Sequence, residues 1–175
     1  ATTVIYTLSL HDALPIYHGF IQYEIANFAR HRGSVPSAVP DLACRHNVNY
    51  WRGGSFFGLG PSASAFVHGL RSRNVANTEL YCARLEQNLP PLDSQDPLSP
   101  LARAGEIAAF GLRMNCGWTF DEFQTVTNLD LRSHWLNDMN DLVEQGLGQL
   151  DSAGFRLNPR GLRFADAAAQ LFLRS

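Results

Sequence analysis

The most regular pattern of apolar and polar positions lies in the C-terminal half, where apolar residues recur at the spacing of a helix. Ser99-Pro100 predicts the start of a first helix that runs to about residue 114, because serine caps a helix and proline suits its first turn. Thr119 and Glu122 form a capping box, which predicts a short second helix. A third helix is predicted over 131–145, with an apolar stripe of Leu131, Trp135, Met139, Leu142 and Val143.

A turn signal follows the third helix. The residues 151–154, Asp-Ser-Ala-Gly, separate two short apolar segments and predict a β-hairpin. Gly161 then leads into a last helix. Three helices, a hairpin and a closing helix are typical of a winged-helix-like domain, here over 99–175. A winged-helix nucleic-acid-binding module is therefore one hypothesis, although Asp138, Asp141 and Glu144 on the third helix would repel phosphate.

The N-terminal half combines short apolar segments with loops. Residues 17–29 alternate apolar and polar positions as a strand does, and 27–29 are expected to leave that strand as a loop. Glu24 is expected to be a solvated edge residue, with a carboxylate facing a ligand as the alternative. Residues 30–42 are rich in glycine, serine and proline and predict a long loop. A short helix capped by Thr78 and an interdomain linker over 87–98 complete this half.

The first sixteen residues are expected to be foreign to the fold. The segment 1–16, ATTVIYTLSLHDALPI, resembles the conceptual translation of a common short-read sequencing adapter. A real strand and turn is the alternative, since Val4-Ile5-Tyr6 has strand character. We therefore expect poor packing of Leu8, Leu10 and Leu14, and we exclude the segment from fold reasoning.

Composition narrows the classes of function. A net charge of -2 offers no basic excess for a nucleic-acid partner. No apolar run reaches the roughly 18 residues that span a bilayer. Cys44, Cys82 and Cys116 are odd in number and far apart in sequence, which favours reduced thiols in the cytoplasm over a disulfide framework.

Residues 44–66 hold the densest group of candidate functional side chains. The pattern predicts a polar-aromatic turn followed by an apolar strand that ends in glycines. His46 is either a ligand to haem iron or a histidine that bonds to the main chain. Tyr50 and Trp51 offer a flat wall for a porphyrin or adenine face, or simple core packing. Arg52 is a candidate clamp for a substrate carboxylate, with a surface ion pair as the alternative.

The glycines of this stretch also match a dinucleotide-binding pattern. Gly58, Gly60 and Ala63 stand at G-x-G-x-x-A spacing. That fingerprint needs a helix directly after the glycines, whereas Pro61 and the residues beyond it predict a loop that enters a strand. Close approach of the main chain to a small ligand is expected here without a dinucleotide fold.

Three segments together resemble a known family. HGFIQYEIANFA (18–29), CRHNVNYWRGG (44–54) and FFGLGPSASAF (56–66) occur in the order found in the oxygen-independent coproporphyrinogen III oxidase-like family of radical SAM proteins. Within that family they are most similar to the haem chaperone branch, HemW, whose signature is His-Asn-x-x-Tyr-Trp. That signature is complete at residues 46–51, and the resemblance covers nearly all of 17–175.

The resemblance implies a fold and a set of cofactors. Members carry a partial TIM barrel of parallel strands and helices that binds S-adenosylmethionine and a 4Fe–4S cluster on a C-x-x-x-C-x-x-C loop, which this chain lacks. Residues 17–86 are therefore expected to be the last strands and loops of the barrel. The fold class is thus α/β, followed by a mostly α winged-helix-like domain. Without cluster ligands the chain alone is expected to be catalytically inactive.

The resemblance also assigns site residues. It implies a haem-binding group, with His46 on the haem iron, and an S-adenosylmethionine end of the barrel lined by Gly58, Gly60 and Ala63. The haem-binding group comprises His46, Asn47, Tyr50 and Trp51. Two departures from the family bear on these roles: Ser64 replaces a histidine, and the loop over 31–42 is longer than usual.

The implied function is a haem chaperone that binds haem and delivers it to haem proteins. Its expected partners are haem or a porphyrin and a haem-accepting protein, with a membrane-associated acceptor and a dimer as further expectations. The alternative within the family is oxygen-independent coproporphyrinogen III oxidase, which decarboxylates propionate side chains in porphyrin biosynthesis.

Overall fold

The computed structural model describes residues 10–33 and 37–173. Helices and short strands alternate in the N-terminal module, residues 10–97. Its elements are α1 (Leu10–Tyr17), β1 (Ile21–Gln22), β2 (Phe28–Ala29), α2 (Arg45–Trp51), β3 (Ser64–Val67), β4 (Leu70–Asn74), α3 (Thr78–Glu86) and β5 (Leu92–Pro97).

A small antiparallel hairpin begins this module. Strands β1 and β2 pair with Ile21 opposite Ala29, so Phe28-Ala29 forms a second strand where a loop was expected. Glu24 lies in the turn and is only 1% exposed, and its carboxylate accepts a hydrogen bond from the Ala26 N–H at 2.9 Å and another from the Asn27 side chain. The expectation of a solvated Glu24 is therefore wrong.

A three-stranded antiparallel sheet follows, in the order β3-β4-β5. Ser64 pairs with Arg73, and Arg71 pairs with Asp96. The expected linker is thus a strand over residues 92–97, because β5 satisfies the backbone groups on the outer edge of β4. Residues 30–33 and 37–42 form neither helix nor strand, as predicted for that loop.

The helix α3 begins one residue away from the predicted cap. Asn77, rather than Thr78, adopts the extended N-cap conformation and accepts a hydrogen bond from the Leu80 N–H at 2.8 Å. Asparagine and threonine both cap helices, so the sequence pattern alone leaves this choice open.

The winged-helix module, residues 99–172, contains the predicted helices and hairpin in the predicted order, together with a short strand and a 3-10 turn that were not predicted. Its elements are α4 (Pro100–Gly111), β6 (Trp118–Thr119), α5 (Phe120–Thr127), α6 (Leu131–Glu144), β7 (Gly148–Leu150), β8 (Gly154–Leu157), a 3-10 turn (Gly161–Phe164) and α7 (Ala165–Phe172). Ser99 caps α4 through the Ala102 N–H, and Thr119 caps α5 through the Glu122 N–H, both at 3.1 Å. The sheet has the order β6-β8-β7, so the mixed α/β class with a winged-helix-like end is confirmed.

The main core lies inside this module. Trp118, Phe123 and Trp135 meet edge to face, with neighbouring ring centroids 5.4 and 5.9 Å apart. Trp135 is fully buried and donates its indole N–H to the Phe172 carbonyl at 3.0 Å. The prediction that Trp135 and Met139 form core is confirmed, since both are 0% exposed.

The C-terminal half of α1 lies at the surface. Leu14, Ile16 and Tyr17 are all exposed, Leu14 at 59%. The poor packing expected of this segment is found at Leu14. The side chain of Leu10, and all of Leu8 and Val4-Ile5-Tyr6, lie outside what the structure describes. An adapter origin of residues 1–16 stays a prediction. Of the helices in the described part of the chain, none has the length and apolar character needed to span a bilayer.

Candidate functional site

The central motif lies on a helix. Residues 45–51 form α2, where the sequence pattern predicted a turn. Cys44 is extended and begins the helix by accepting a hydrogen bond from the Val48 N–H at 3.0 Å, and Gly53 ends it with a φ of +77°. A side chain at Gly53 would collide with Ile107 of α4, so α2 ends in close contact with the winged-helix module.

The two faces of α2 have different surroundings. Val48 and Trp51 pack against Tyr23 and Met114, which form a second small core. His46 lies on the other face and is exposed. Its imidazole makes no hydrogen bond or ion pair with any residue that the structure describes. The alternative interpretation, in which His46 hydrogen-bonds to the main chain, therefore does not hold in this structure.

Tyr50 and Trp51 are packing residues. The Tyr50 ring lies 4.7 Å from Phe56 and 5.3 Å from Phe110, measured between centroids. The Trp51 ring lies 6.1 Å from Phe110, and the Arg113 guanidinium stacks 4.8 Å from its centroid. These contacts favour core packing over an open wall for a flat ligand. Both side chains instead fix α2 on α4.

The two asparagines of the motif differ in their contacts. Asn47 is half-buried, and its amide has no hydrogen bond with the described residues. Asn49 donates its side-chain N–H to the Ser55 carbonyl at 3.0 Å, and this bond braces the turn after α2. Asn47 keeps its whole amide for a ligand, whereas Asn49 has given one of its side-chain N–H groups to this turn.

Arg52 joins the two modules. Its guanidinium donates to the Gly117 carbonyl at 2.7 Å and to the Cys116 Sγ at 2.8 Å, and its Nε lies 3.4 Å from the Glu122 carboxylate. It also lies 4.3 Å from the centroid of the Trp118 ring. Because all three nitrogens have partners, the expected role of Arg52 as a clamp for a substrate carboxylate is not supported. Glu122 correspondingly faces Arg52, so only the threonine half of the predicted capping box forms.

A second arginine holds the same end of α2, and sequence reasoning missed it. Arg103 of α4 donates to the Gly53 carbonyl at 2.5 Å and lies 3.6 Å from the Phe66 ring centroid. Glu106 pairs with Arg103 at 3.5 Å and also with Arg71. Burial lowers the pKa of Arg103, and the charge of Glu106 opposes that effect. The sequence signal for this ion pair is the spacing of Arg103 and Glu106, three residues apart on one predicted helix.

The three residues expected at the S-adenosylmethionine end serve the chain itself. The Asn74 amide is buried and donates to the carbonyls of Gly58 and Gly60 at 3.2 and 2.9 Å. A Cβ at Gly58 would overlap the Ser64 carbonyl, and Ala63 accepts from the Asn74 N–H at 2.9 Å. The close approach that Gly58 permits is therefore between two segments of this chain. The strand β3 follows them, which excludes the dinucleotide fingerprint.

The described residues do not fit an iron–sulfur cluster. They contain no group of three or more histidine, cysteine, aspartate or glutamate side chains that could hold a metal ion. Cys44 and Cys82 are exposed, whereas Cys116 is half-buried beside Arg52, and its burial raises the pKa of the thiol. A single histidine on an open helix can still provide one axial ligand to haem iron.

An open groove lies on the opposite side of α2 from His46. Val48 and Arg52 line it together with Cys116, Glu122 and Arg156, and its volume is about 660 Å³. His46 does not belong to this groove, since it lies more than a quarter turn of the helix away from both Val48 and Arg52.

The winged-helix module lacks the charge pattern of a nucleic-acid interface. Asp130 caps α6 and pairs with Arg132 at 3.1 Å, which engages the basic residue of this helix. Asp141 and Glu144 are exposed on the same helix. An acidic helix at the position of a recognition helix argues against phosphate binding.

Comparison with known proteins identifies the class of domain first. Residues 98–164 match the family model of the HemN C-terminal domain. The chain is also similar in structure to coproporphyrinogen III oxidase (HemN) from Escherichia coli, a radical SAM enzyme, with a TM-score of 0.63 and 15% sequence identity over 92% of this chain and 38% of that one. At this identity, the likeness shows a shared fold.

The chain is also similar in sequence to particular radical SAM proteins and heme chaperones. The chain is 25% identical to heme chaperone HemW of Bacillus subtilis over 156 residues, which cover 89% of this chain and 39% of the relative. It is 32% identical to radical S-adenosyl methionine domain-containing protein 1, mitochondrial, of Bos taurus, over 85% of this chain and 34% of the relative. Residues 98–164 are thus a HemN C-terminal domain, and nearly the whole chain is similar to the HemW proteins and to their radical SAM relatives. The chain spans less than two fifths of the length of these relatives.

Proposed function

We propose that the protein containing this chain is a haem chaperone, and that His46 is a ligand to the iron of the haem it carries. One observation supports this most directly. The complete His-Asn-x-x-Tyr-Trp motif lies on α2 with the His46 imidazole exposed and without a partner among the described residues. Relatives named heme chaperone HemW match 89% of the chain, which supports the same proposal.

The residues around His46 suit the transfer of a cargo. Haem iron accepts an axial imidazole, and an exposed imidazole can reach haem without displacing core side chains. Tyr50 and Trp51 hold α2 on the winged-helix module, so the ligand is presented from a fixed helix. A single ligand on an open surface leaves the other face of the haem accessible to an acceptor protein. We propose a haem-accepting protein as the partner on this basis.

The test is the absorption spectrum of haem. Haem added to the full chain should give a Soret band shifted from that of free haem, and His46→Ala should abolish the shift. His134→Ala is the matched control, because His134 is also exposed but lies on α6. A shift that persists in His46→Ala, or that both substitutions remove equally, would overturn the proposal.

Coproporphyrinogen III oxidase activity is the second candidate for the longer protein. The fold likeness to HemN favours it, although that likeness extends to fold alone. S-adenosylmethionine and a 4Fe–4S cluster belong to the longer radical SAM relatives, and the three cysteines of this chain do not supply the cluster ligands. Formation of vinyl groups from coproporphyrinogen by a longer chain of this family would favour the oxidase over the chaperone.

Reduced thiols support a cytoplasmic location, which we retain as a proposal. A membrane-associated acceptor and a dimer find no support in the names of the relatives, and neither is proposed.

A further inference from the structure

A porphyrin that carries carboxylates needs a basic residue near His46 to pair with them. Arg52 was expected to have that role, but its guanidinium is engaged elsewhere. Arg52 uses its guanidinium on Gly117, Cys116 and Glu122, and its side chain is only 16% exposed. To reach a ligand, Arg52 would have to break the contacts between the two modules. A different basic residue must therefore meet any carboxylate near His46.

Arg45 is placed for that role. It is the first residue of α2, directly before His46, and it is exposed. Consecutive residues of a helix are about 100° apart around the axis, so Arg45 and His46 project from adjoining faces, with Asn49 between them one turn further on. An arginine is long enough to extend beyond a neighbouring imidazole, toward the edge of a flat ligand centred on it.

The Arg45 guanidinium is also free. It has no hydrogen bond, ion pair or ring contact with any residue in the described part of the chain, and α2 contains no acidic residue. Asp41, the nearest acid in sequence, accepts a hydrogen bond from the Arg32 N–H at 2.9 Å and lies 3.2 Å from His31. The hydrogen bond from Arg32 lowers the pKa of Asp41, so this carboxylate is ionised and held by its own loop.

We infer that Arg45 pairs with an ionised propionate of the tetrapyrrole bound at His46, so that the site selects porphyrins that carry carboxylate side chains. This inference rests on the proposed function. A guanidinium binds a carboxylate through two parallel N–H···O bonds, which adds orientation as well as affinity. Arg52 and Arg103 fix the far end of α2, so the pair His46 and Arg45 is presented with little freedom.

The experiment compares two iron porphyrins on three proteins. Haem and its dimethyl ester, in which both propionates are neutral, are titrated into the full chain, into Arg45→Gln and into Arg73→Gln. Arg73 is the control, because it is exposed on β4 and likewise makes no polar contact through its side chain in the described part of the chain. The position of the Soret band and the dissociation constant are recorded in each case.

We expect Arg45→Gln to weaken haem binding about tenfold, with the Soret position unchanged because His46 still ligates iron. Its affinity for the dimethyl ester should equal that of the unaltered chain, and Arg73→Gln should behave as the unaltered chain with both porphyrins. A change in haem affinity smaller than about twofold, or an equal loss for haem and ester, would overturn the role of Arg45. A Soret shift that does not depend on His46 would instead refute the proposed function.

Discussion

Replacing Arg52 by methionine tests whether one guanidinium holds the two modules together. Methionine keeps most of the side-chain volume but removes the hydrogen bonds to Gly117 and Cys116, the ion pair with Glu122 and the stacking on Trp118. The Gly117 carbonyl belongs to a buried residue and would lose its partner. The stability of the whole chain should therefore fall.

The magnitude follows from the separate contacts. A hydrogen bond that involves a charged group contributes about 1.5–3 kcal/mol, and a cation–π contact about 0.5–2 kcal/mol. The ion pair with the 41%-exposed Glu122 side chain adds less than about 1 kcal/mol. These terms share one side chain and are not additive, and the burial of Arg52 itself carries a desolvation cost. We therefore expect a net loss of about 2–4 kcal/mol in the free energy of unfolding.

The assay is urea denaturation followed by tryptophan fluorescence, since Trp118 lies in the contact. With an m value of about 2 kcal/mol per M, the midpoint should fall by about 1–2 M. Arg45→Met is the control on the same helix and should change stability by less than about 0.5 kcal/mol. The stability of Arg52→Lys should lie between those of Arg52→Met and Arg45→Met, because lysine keeps the charge but not the planar guanidinium. A loss below about 1 kcal/mol in Arg52→Met, or equal losses in Arg52→Met and Arg45→Met, would refute the reasoning.

Two further predictions concern the winged-helix module. Gly111→Ala should destabilise the chain by about 1–3 kcal/mol despite the better helix propensity of alanine, because the added Cβ would overlap the buried Trp118 indole; unchanged thermal unfolding would contradict this. Asp130→Asn should reduce the acid sensitivity of folding, because the hydrogen bond from the Arg132 side chain lowers the pKa of Asp130. A lowered folded-state pKa stabilises the chain above the unfolded value of about 4 and loses that contribution as pH falls through the folded value. Asparagine still caps α6, so the cap itself is kept in the variant. In urea titrations the two proteins should differ in stability at pH 7 and converge at low pH. A difference in stability that stays constant across pH would show that the titration of Asp130 is not its cause.

The winged-helix module was predictable because its signals are local. Ser99 and Thr119 cap their helices through N–H groups three residues away, and the stripe that includes Leu131 and Trp135 repeats at the period of a helix. Each of these preferences agrees with the final packing. Signals of this kind do not depend on which distant residue lies opposite, so the sequence alone determined the helices, the hairpin and their order. It missed the short strand β6, which forms by pairing with β8 more than 30 residues later in the chain.

The elements of the N-terminal module depend on distant contacts, and two predictions made there were wrong. The segment 92–97 reads as a linker by composition but becomes β5 because the edge of β4 lacks a partner. The segment 45–51 reads as a turn but becomes α2 because Trp51 and Tyr50 pack against Phe110 of α4. Tertiary contacts overrode weak local preferences in both segments.

The sequence by itself determined which residues could do chemistry here, through the complete motif that includes His46. Only the tertiary structure decided how the neighbouring side chains divide their roles. Arg52 and Arg45 have the same side chain on the same short helix, yet one faces Gly117 and Glu122 and the other faces solvent. Whether a guanidinium is available to a ligand depends on which groups the fold brings within hydrogen-bond distance of it, and residues 65 positions apart in the chain supply those groups.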